Sequence, residues 1–436
     1  MRPEVSHHQV GRSTTMNLQT GDGIRNSLTI TPNDPVPVAI VKCSDYEPDL
    51  VYRALQRAVS LAGGLDTCVA PGTRVLVKPN LLQGLPPERA VCTHPVVVGA
   101  VIRLLKERGC EVTLADSPGG GIRYTPASLA RQYERAGYGV LAGDPGCVLN
   151  LDTGFDTARY PEGRVCREFP LIRPYFSSDH VVVVSKAKTH VLTLLSGATK
   201  NLFGLIPGLE KPLFHSRFQS GERFGEMLID LNLLVRPSLQ VTDAIVIMEG
   251  DGPTSGTPRP MGFLLVSPSP LALDMVLCRL MSLNPKEVPY LRCAIERGLL
   301  TPDGSNIEII GDPLPPSDTF RVKKPRTCAG SGGGIQVTPL FWAVHALGKV
   351  YAMRPSVNPD LCSGCGKCIA ICPAHAITLA GGRARIPSRH CMRCYCCHEM
   401  CSEGALFLER GFAGSLLHRV IRACGFAHDD DEKNGA

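Results

Sequence analysis

The spacing of eight cysteines near the C-terminus restricts this chain more than any other feature. Cys362, Cys365 and Cys368 are separated by two residues each, Cys372 follows after three more, and Pro373 stands behind it. Cys391, Cys394, Cys397 and Cys401 repeat that spacing. Two residues between thiolates let a tight loop wrap one face of a metal cubane, so three corners come from one loop. The fourth corner needs a sulfur from elsewhere, and a duplicated run supplies it crosswise. Gly364 and Gly366 suit a loop whose backbone approaches sulfur closely and takes positive φ.

The doubled run resembles the bacterial two-cluster ferredoxin pattern, which implies two [4Fe-4S] clusters. One is expected on Cys362, Cys365, Cys368 and Cys401, the other on Cys391, Cys394, Cys397 and Cys372. The competing readings are a zinc site, for which a single C-x2-C suffices, and a disulfide framework; a doubled run of four is more specific than either. Ser402 departs from the pattern, standing where the second run would carry Pro, and Cys396 is an extra thiol read as a spectator.

The chain has 436 residues, 44% hydrophobic and 20% charged, enough for two or three domains. The remaining cysteines (Cys43, Cys68, Cys92, Cys110, Cys147, Cys166, Cys278, Cys293, Cys328, Cys424, with Cys396) follow no framework spacing and are expected to be reduced, mostly buried thiols. That points to a cytoplasmic location. The formal charge of +6 is mild. Bound clusters would bring it nearer neutral, so nucleic-acid binding is not indicated. No run approaches the roughly 18 apolar residues of a membrane span. Residues 1–34 read as a polar, disordered tail, with Met16 as an alternative start.

From Pro35 the pattern alternates between β and α. Strands are expected at Val38–Val41, Thr73–Val77, Glu111–Ala115, His180–Val184, Leu239–Met248 and Gly262–Ser267. Helices are expected at Asp49–Ala62, Pro95–Arg108, Leu271–Ser282 and Pro285–Arg297. The fold class is therefore α/β, a mostly parallel sheet with flanking helices, plus a small C-terminal α+β ferredoxin-type domain. The expected division is a tail (1–34), the α/β domain (35–312), a linker with an amphipathic helix at Pro339–Ala352 (313–353), the cluster domain (354–410), and a closing helix and tail (411–436).

In open α/β sheets, ligands bind beyond the carboxyl ends of the strands. Lys78 and Asn80 follow one strand, Asp116 and Ser117 another, Ser185–His190 a third, and Glu249 and Asp251 a fourth. Lys200, Asn201 and His215 lie on segments rich in Gly and polar residues. Lys78, Asn80, Lys186, Lys200, Asn201, His215, Glu249 and Asp251 form a candidate pocket for a small anionic ligand. Lys188 and His190 are candidate acid–base groups, since desolvation can bring either into a working range. The bland alternative is that charges follow strands because loops are solvated. Gly119-Gly120-Gly121 lacks the spacing of a nucleotide loop.

The elements V-L-V-K-P-N-L (Val75–Leu81), T-H-P (Thr93–Pro95), A-D-S-P-G (Ala115–Gly119), S-K-A-K-T-H (Ser185–His190), G-A-T-K-N-L-F-G (Gly197–Gly204) and M-E-G-D-G-P-T-S-G (Met248–Gly256) resemble domain-of-unknown-function family 362, from about Val38 to about Gly311. Several members similarly carry a ferredoxin module. The resemblance implies an iron–sulfur protein but little chemistry, and it departs at Ser185, where Pro often stands.

Three readings follow. The first is an iron–sulfur oxidoreductase, exchanging electrons with a soluble donor or acceptor protein, with Arg383, Arg385, Arg389 and Arg393 placed to dock an acidic partner. The second is an anionic-ligand binding or redox-sensing protein with structural clusters. A third is a non-redox enzyme using Lys188 or His190 as acid–base, with an accessory ferredoxin module.

Overall fold

The computed structural model describes residues 35–326 and 353–411, apart from 120–121, 144–145, 209, 317–318 and 388, together with Ser415. The amphipathic helix expected at 339–352 and nearly all of the closing segment lie outside the described residues, as do the N-terminal and C-terminal tails.

The strands of the large sheet are β1 (Val36–Lys42), β2 (Arg74–Pro79), β3 (Glu111–Leu114) and β4 (Cys147–Leu149) in the first part of the chain. A separate ribbon of β5 (Phe155–Arg159) and β6 (Glu168–Ile172) follows. The sheet resumes with β7 (His180–His190), β8 (Leu194–Ser196), β9 (Leu239–Glu249), β10 (Thr257–Ser267) and β11 (Ile307–Gly311). Its order is β11-β1-β10-β9-β7-β2-β3-β4, with β8 paired to β7. Pairing is parallel from β4 to β9 and between β1 and β11. It is antiparallel where β10 joins β9 to β1 and where β8 folds back on β7.

Side chains along each strand alternate between two cores. Val38, Ile40, Leu76, Val181 and Val183 enter one; Ala39, Val41, Val75, Val77, Val182 and Val184 enter the other. A sheet covered on both faces needs apolar residues at every position, which is why these strands read as continuous runs. Helices α1 (Pro48–Leu61), α2 (Pro95–Lys106) and α3 (Pro126–Arg135) cover the second core. A short α4 (Arg173–Phe176) leads into β7. Beyond β8 come α5 (Ala198–Asn201) and α6 (Glu210–Arg217), then α7 (Gly221–Val235), α8 (Pro270–Leu280) and α9 (Pro289–Glu296), which cover the first core.

Three expectations need correction. The strand expected at Gly262–Ser267 already begins at Thr257, across an irregularity between Pro260 and Phe263. The strand expected to stop at Val184 runs on to His190, and all of its residues are buried. Its partner β2 ends at Pro79, opposite Val184, so Ser185–His190 continues past the end of β2 against β9, with a register shift between Lys186 and Lys188. The helix expected over 285–297 opens as a separate 3-10 turn at Pro285–Glu287, because Pro289 starts α9 at the position where a missing N–H does no harm.

The C-terminal module pairs Arg354–Val357 with Leu406–Glu409 and closes a hairpin between Thr378–Ala380 and Arg383–Arg385. Its core is small: Ile371, Ile377, Ala384, Met400 and Leu406, packed among the cysteines, with Ile122 of the large domain against it.

Candidate functional site

The two cysteine loops share one backbone conformation. In the first, Gly364 (φ 68°) and Gly366 (φ 74°) are left-handed; in the second, Arg393 (φ 58°) and Tyr395 (φ 60°) occupy the corresponding positions. Left-handed non-glycine residues are uncommon and need surroundings that hold them. Tyr395 is held by a hydrogen bond from its hydroxyl to Met353 O, 3.0 Å away. Each loop then opens a short helix, Lys367–Ile371 or Cys396–Glu399. Backbone N–H groups face sulfur: Ala384 N to Cys362 Sγ (3.5 Å), Ala376 N to Cys372 Sγ (3.3 Å) and Arg393 N to Cys391 Sγ (3.4 Å).

These loops fit a cubane. A cavity of about 30 Å³ is lined by Cys362, Cys365, Cys368 and Cys401, the crosswise set. Burial pushes the Cys397 thiol well up, and its neighbours Cys394, Cys391, Cys368 and Cys372 push it further. Iron that displaces such protons relieves that crowding. Among the described residues, no three His, Cys, Asp or Glu side chains converge on a single-ion position. Thiolates at the corners of a cubane stand farther apart than the ligands of one ion. The scattered thiols Cys43, Cys68, Cys92, Cys110, Cys147, Cys166, Cys278 and Cys293 are all buried.

The second feature is a cavity of about 60 Å³ where the module meets the sheet domain. The sheet domain contributes Lys78, Asn80, Leu82, Asp116, Ser117, Lys200, Asn201, Phe203, Lys211 and His215, among others; the module contributes Ile371, Cys396, Glu399 and Met400. Lys78 Nζ binds Asp116 Oδ1 at 3.0 Å, Pro79 O at 2.7 Å and Asn201 Oδ1 at 3.1 Å. Lys211 Nζ donates to Ser117 O (2.7 Å) and Pro118 O (2.9 Å). Burial lowers its pKa to about 7, against the pull of Asp116. Burial also holds His215 neutral, at about 3, and its ring stacks on Phe224 at 4.6 Å. Asp274 of α8 accepts from Ala198 N (2.7 Å) and Thr199 N (2.9 Å), fixing the short helix that carries Lys200 and Asn201. Gly204 is required here, because a Cβ would run into Asp116 Oδ1 and Lys78 Nζ.

The junction is polar as well as apolar. Glu399 O accepts from Thr254 Oγ1 at 2.6 Å and from Gln83 Nε2 at 3.2 Å. Glu399 Oε1 stands 3.4 Å from His190 Nε2. Met400 lies against Gly119, where an added Cβ would be 2.5 Å from its sulfur.

Two segments of the chain match known family models. The model for a domain of unknown function (DUF362) matches residues 75–279, and the model for a 4Fe-4S binding domain matches 355–378. The thylakoid-associated protein sll1697 of Synechocystis sp. (strain ATCC 27184 / PCC 6803 / Kazusa) is 33% identical over 267 residues, which cover 60% of this chain and 79% of that protein. The chain belongs to the DUF362 family. It is also an iron–sulfur protein by its 4Fe-4S binding domain. A solved structure, the lactate racemase apoprotein from Thermoanaerobacterium thermosaccharolyticum, aligns over 59% of this chain and 58% of that one at 15% identity; its TM-score of 0.36 is too low to carry an argument. Among the described residues, no helix of this DUF362 chain is long and apolar enough to cross a membrane.

Of the residues singled out in the sequence, Lys78, Asn80, Lys200, Asn201 and His215 line the interdomain cavity of the DUF362 chain. Lys186, Glu249 and Asp251 do not. Lys186 Nζ is held by Asp243 Oδ2 and Tyr46 OH, both at 2.8 Å. Glu249 binds Arg259 at 2.9 Å, and Asp251 binds the Arg326 side chain at 2.6 Å. Their charge is neutralised locally, on the side where residues 321–326 pass. Lys188 and His190, expected as acid–base groups, stand one layer behind the cavity wall. Lys188 Nζ donates to Asn80 Oδ1 and Val91 O, both at 2.7 Å, and burial lowers its pKa to about 7. His190 Nδ1 accepts from Leu192 N at 3.0 Å. Sequence reasoning missed Lys211 and every residue from the module. Lys211 sits in the polar segment already noted around His215, a usable signal; the module's share depends on docking, which no local pattern reports.

Proposed function

We propose that the chain is an electron-transfer protein whose iron–sulfur module serves the interdomain cavity. Cys362, Cys365, Cys368 and Cys401 would hold one [4Fe-4S] cluster, and Cys391, Cys394, Cys397 and Cys372 a second. Loaded in this way, the module supplies one-electron chemistry at each cluster. The observation that carries the reading is the shared wall: Ile371 and Cys396, each next in sequence to a cysteine of the second set, line the cavity together with Lys78, Lys200 and His215. A small molecule there would lie beside the second set of thiolates.

The first set supports the outer contact. Cys365 is exposed, and so are Leu361 and Leu379 beside the first loop. Arg383 and Arg385 alternate with the inward Ala384, so both guanidinium groups reach solvent. A soluble acidic carrier protein fits that surface. The Synechocystis relative is named for its association with thylakoids.

The test uses anaerobic holoprotein, reduced and then mixed with members of a metabolite panel while cluster absorbance is followed. The reading expects one member to speed reoxidation, and Phe203→Trp, which fills the cavity, to suppress that effect. Full activity after removal of the clusters would overturn it.

A further inference from the structure

Besides Asp116 Oδ1 and Glu399 Oε1, which face Lys78 and His190, two polar side-chain atoms lining the interdomain cavity have no hydrogen-bond partner among the described residues. Ser117 Oγ and His215 Nδ1 are buried and unpartnered, on side chains 2% and 5% exposed. The Lys200 side chain, on the same wall, makes no hydrogen bond among the described residues, although it faces the field of Glu399 and Cys396. Buried polar groups are nearly always satisfied, so two together beside the Lys200 side chain mark the place of an absent partner.

The charge and shape of the cavity restrict that partner. Lys78, Lys200 and Lys211 line the cavity together with Asp116 and Glu399. Lys78 is committed to Asp116, and Lys211 to two carbonyls, so Lys200 is the ammonium left to meet a ligand. Leu82, Phe203, Pro212, Ile371 and Met400 give the same cavity an apolar side. With about 10–15 Å³ needed per water-sized group, 60 Å³ holds roughly four to six non-hydrogen atoms.

We infer that the cavity is a binding site for a short-chain carboxylate monoanion, its carboxylate on Lys200, Ser117 and His215 and its short apolar tail against Phe203, Ile371 and Met400. This deepens the proposed function and rests on its reading of the cavity as the place where a small molecule meets the module.

The test is calorimetric titration of oxidised, full-length holoprotein with sodium acetate, sodium propionate and inorganic phosphate. Propionate should bind saturably and more tightly than acetate, because its extra methylene is buried. Lys200→Met should weaken propionate about tenfold or more, as loss of a charge-assisted hydrogen bond does, whereas Lys200→Arg should stay within about threefold. Should Lys200→Met fail to fold, Ser117→Ala provides the second reading, with an expected loss of about threefold to tenfold. Equal or tighter binding of phosphate would overturn the carboxylate assignment. Absence of any binding, in protein whose clusters still reduce reversibly, would overturn the site and leave the electron-transfer reading standing. Loss of reversible reduction with propionate binding intact would do the reverse.

Discussion

The hydroxyl of Thr254 donates to the main-chain carbonyl of Glu399 at 2.6 Å, so a residue just past β9 fastens the turn between two cysteines of the iron–sulfur module. Thr254 is 1% exposed. Thr254→Val keeps the shape and leaves the carbonyl with only the bond from Gln83. We expect docking of the module to weaken by about 1–3 kcal/mol. Hydrogen exchange should rise in residues 396–401 and in the 82–84 segment, with the amides of β7 and β9 unchanged.

Gly204 lies where Lys78 and Asp116 meet, and both are locked by further hydrogen bonds. Gly204→Ala should therefore destabilise the sheet domain by about 1–3 kcal/mol, the range for overpacking a filled interior. Denaturant unfolding read by far-UV circular dichroism measures it.

Asp274 gives a pH signature. Burial raises its folded pKa to about 6, while four hydrogen bonds, from the backbone and side chain of Thr199, the backbone of Ala198 and the side chain of Tyr290, hold it back. The folded state then binds its proton more tightly than the unfolded chain, where the carboxyl titrates near 3.9. Its contribution to stability is fully present below about pH 4 and is lost as pH rises through about 6, up to roughly 3 kcal/mol in all. Asp274→Asn should lack that slope. Unfolding free energies of both proteins between pH 4 and pH 7, taken as a difference, isolate the residue.

Arg383 and Arg385 make no ion pair among the described residues and flank the hairpin that donates Ala384 N to Cys362. Reversing both to Glu should slow reduction by an acidic carrier protein about tenfold at low salt and flatten its ionic-strength dependence. Reduction by dithionite should not change, which separates docking from cluster damage. Stopped-flow absorbance reads both.

Much of this was legible in the sequence, and the reasons differ by region. The doubled cysteine spacing reports local loop geometry, and the left-handed positions at Gly364 and Gly366 follow from residue type. The same geometry at Arg393 and Tyr395 is hidden, because neither residue advertises positive φ. Strand ends drew attention to Lys78 and Asn80, and the Gly-rich segments to Lys200, Asn201 and His215. Glu249 and Asp251 were equally prominent, yet Arg259 of the neighbouring strand and Arg326, 75 residues beyond Asp251, hold them away from the cavity. Glu399 and Met400 were invisible as site residues, because their role depends on how two domains dock. Cys396 read as a spectator, and it forms part of the cavity wall.

The most direct measurement is iron and sulfide analysis of anaerobically prepared protein, wild type beside Cys394→Ser. The account predicts about eight iron and eight sulfide per chain in wild type, about half of both in the variant, and loss of spin coupling in the EPR spectrum of the reduced variant. Wild-type protein holding about four iron, with Cys394→Ser unchanged, would contradict a cluster at the cavity wall.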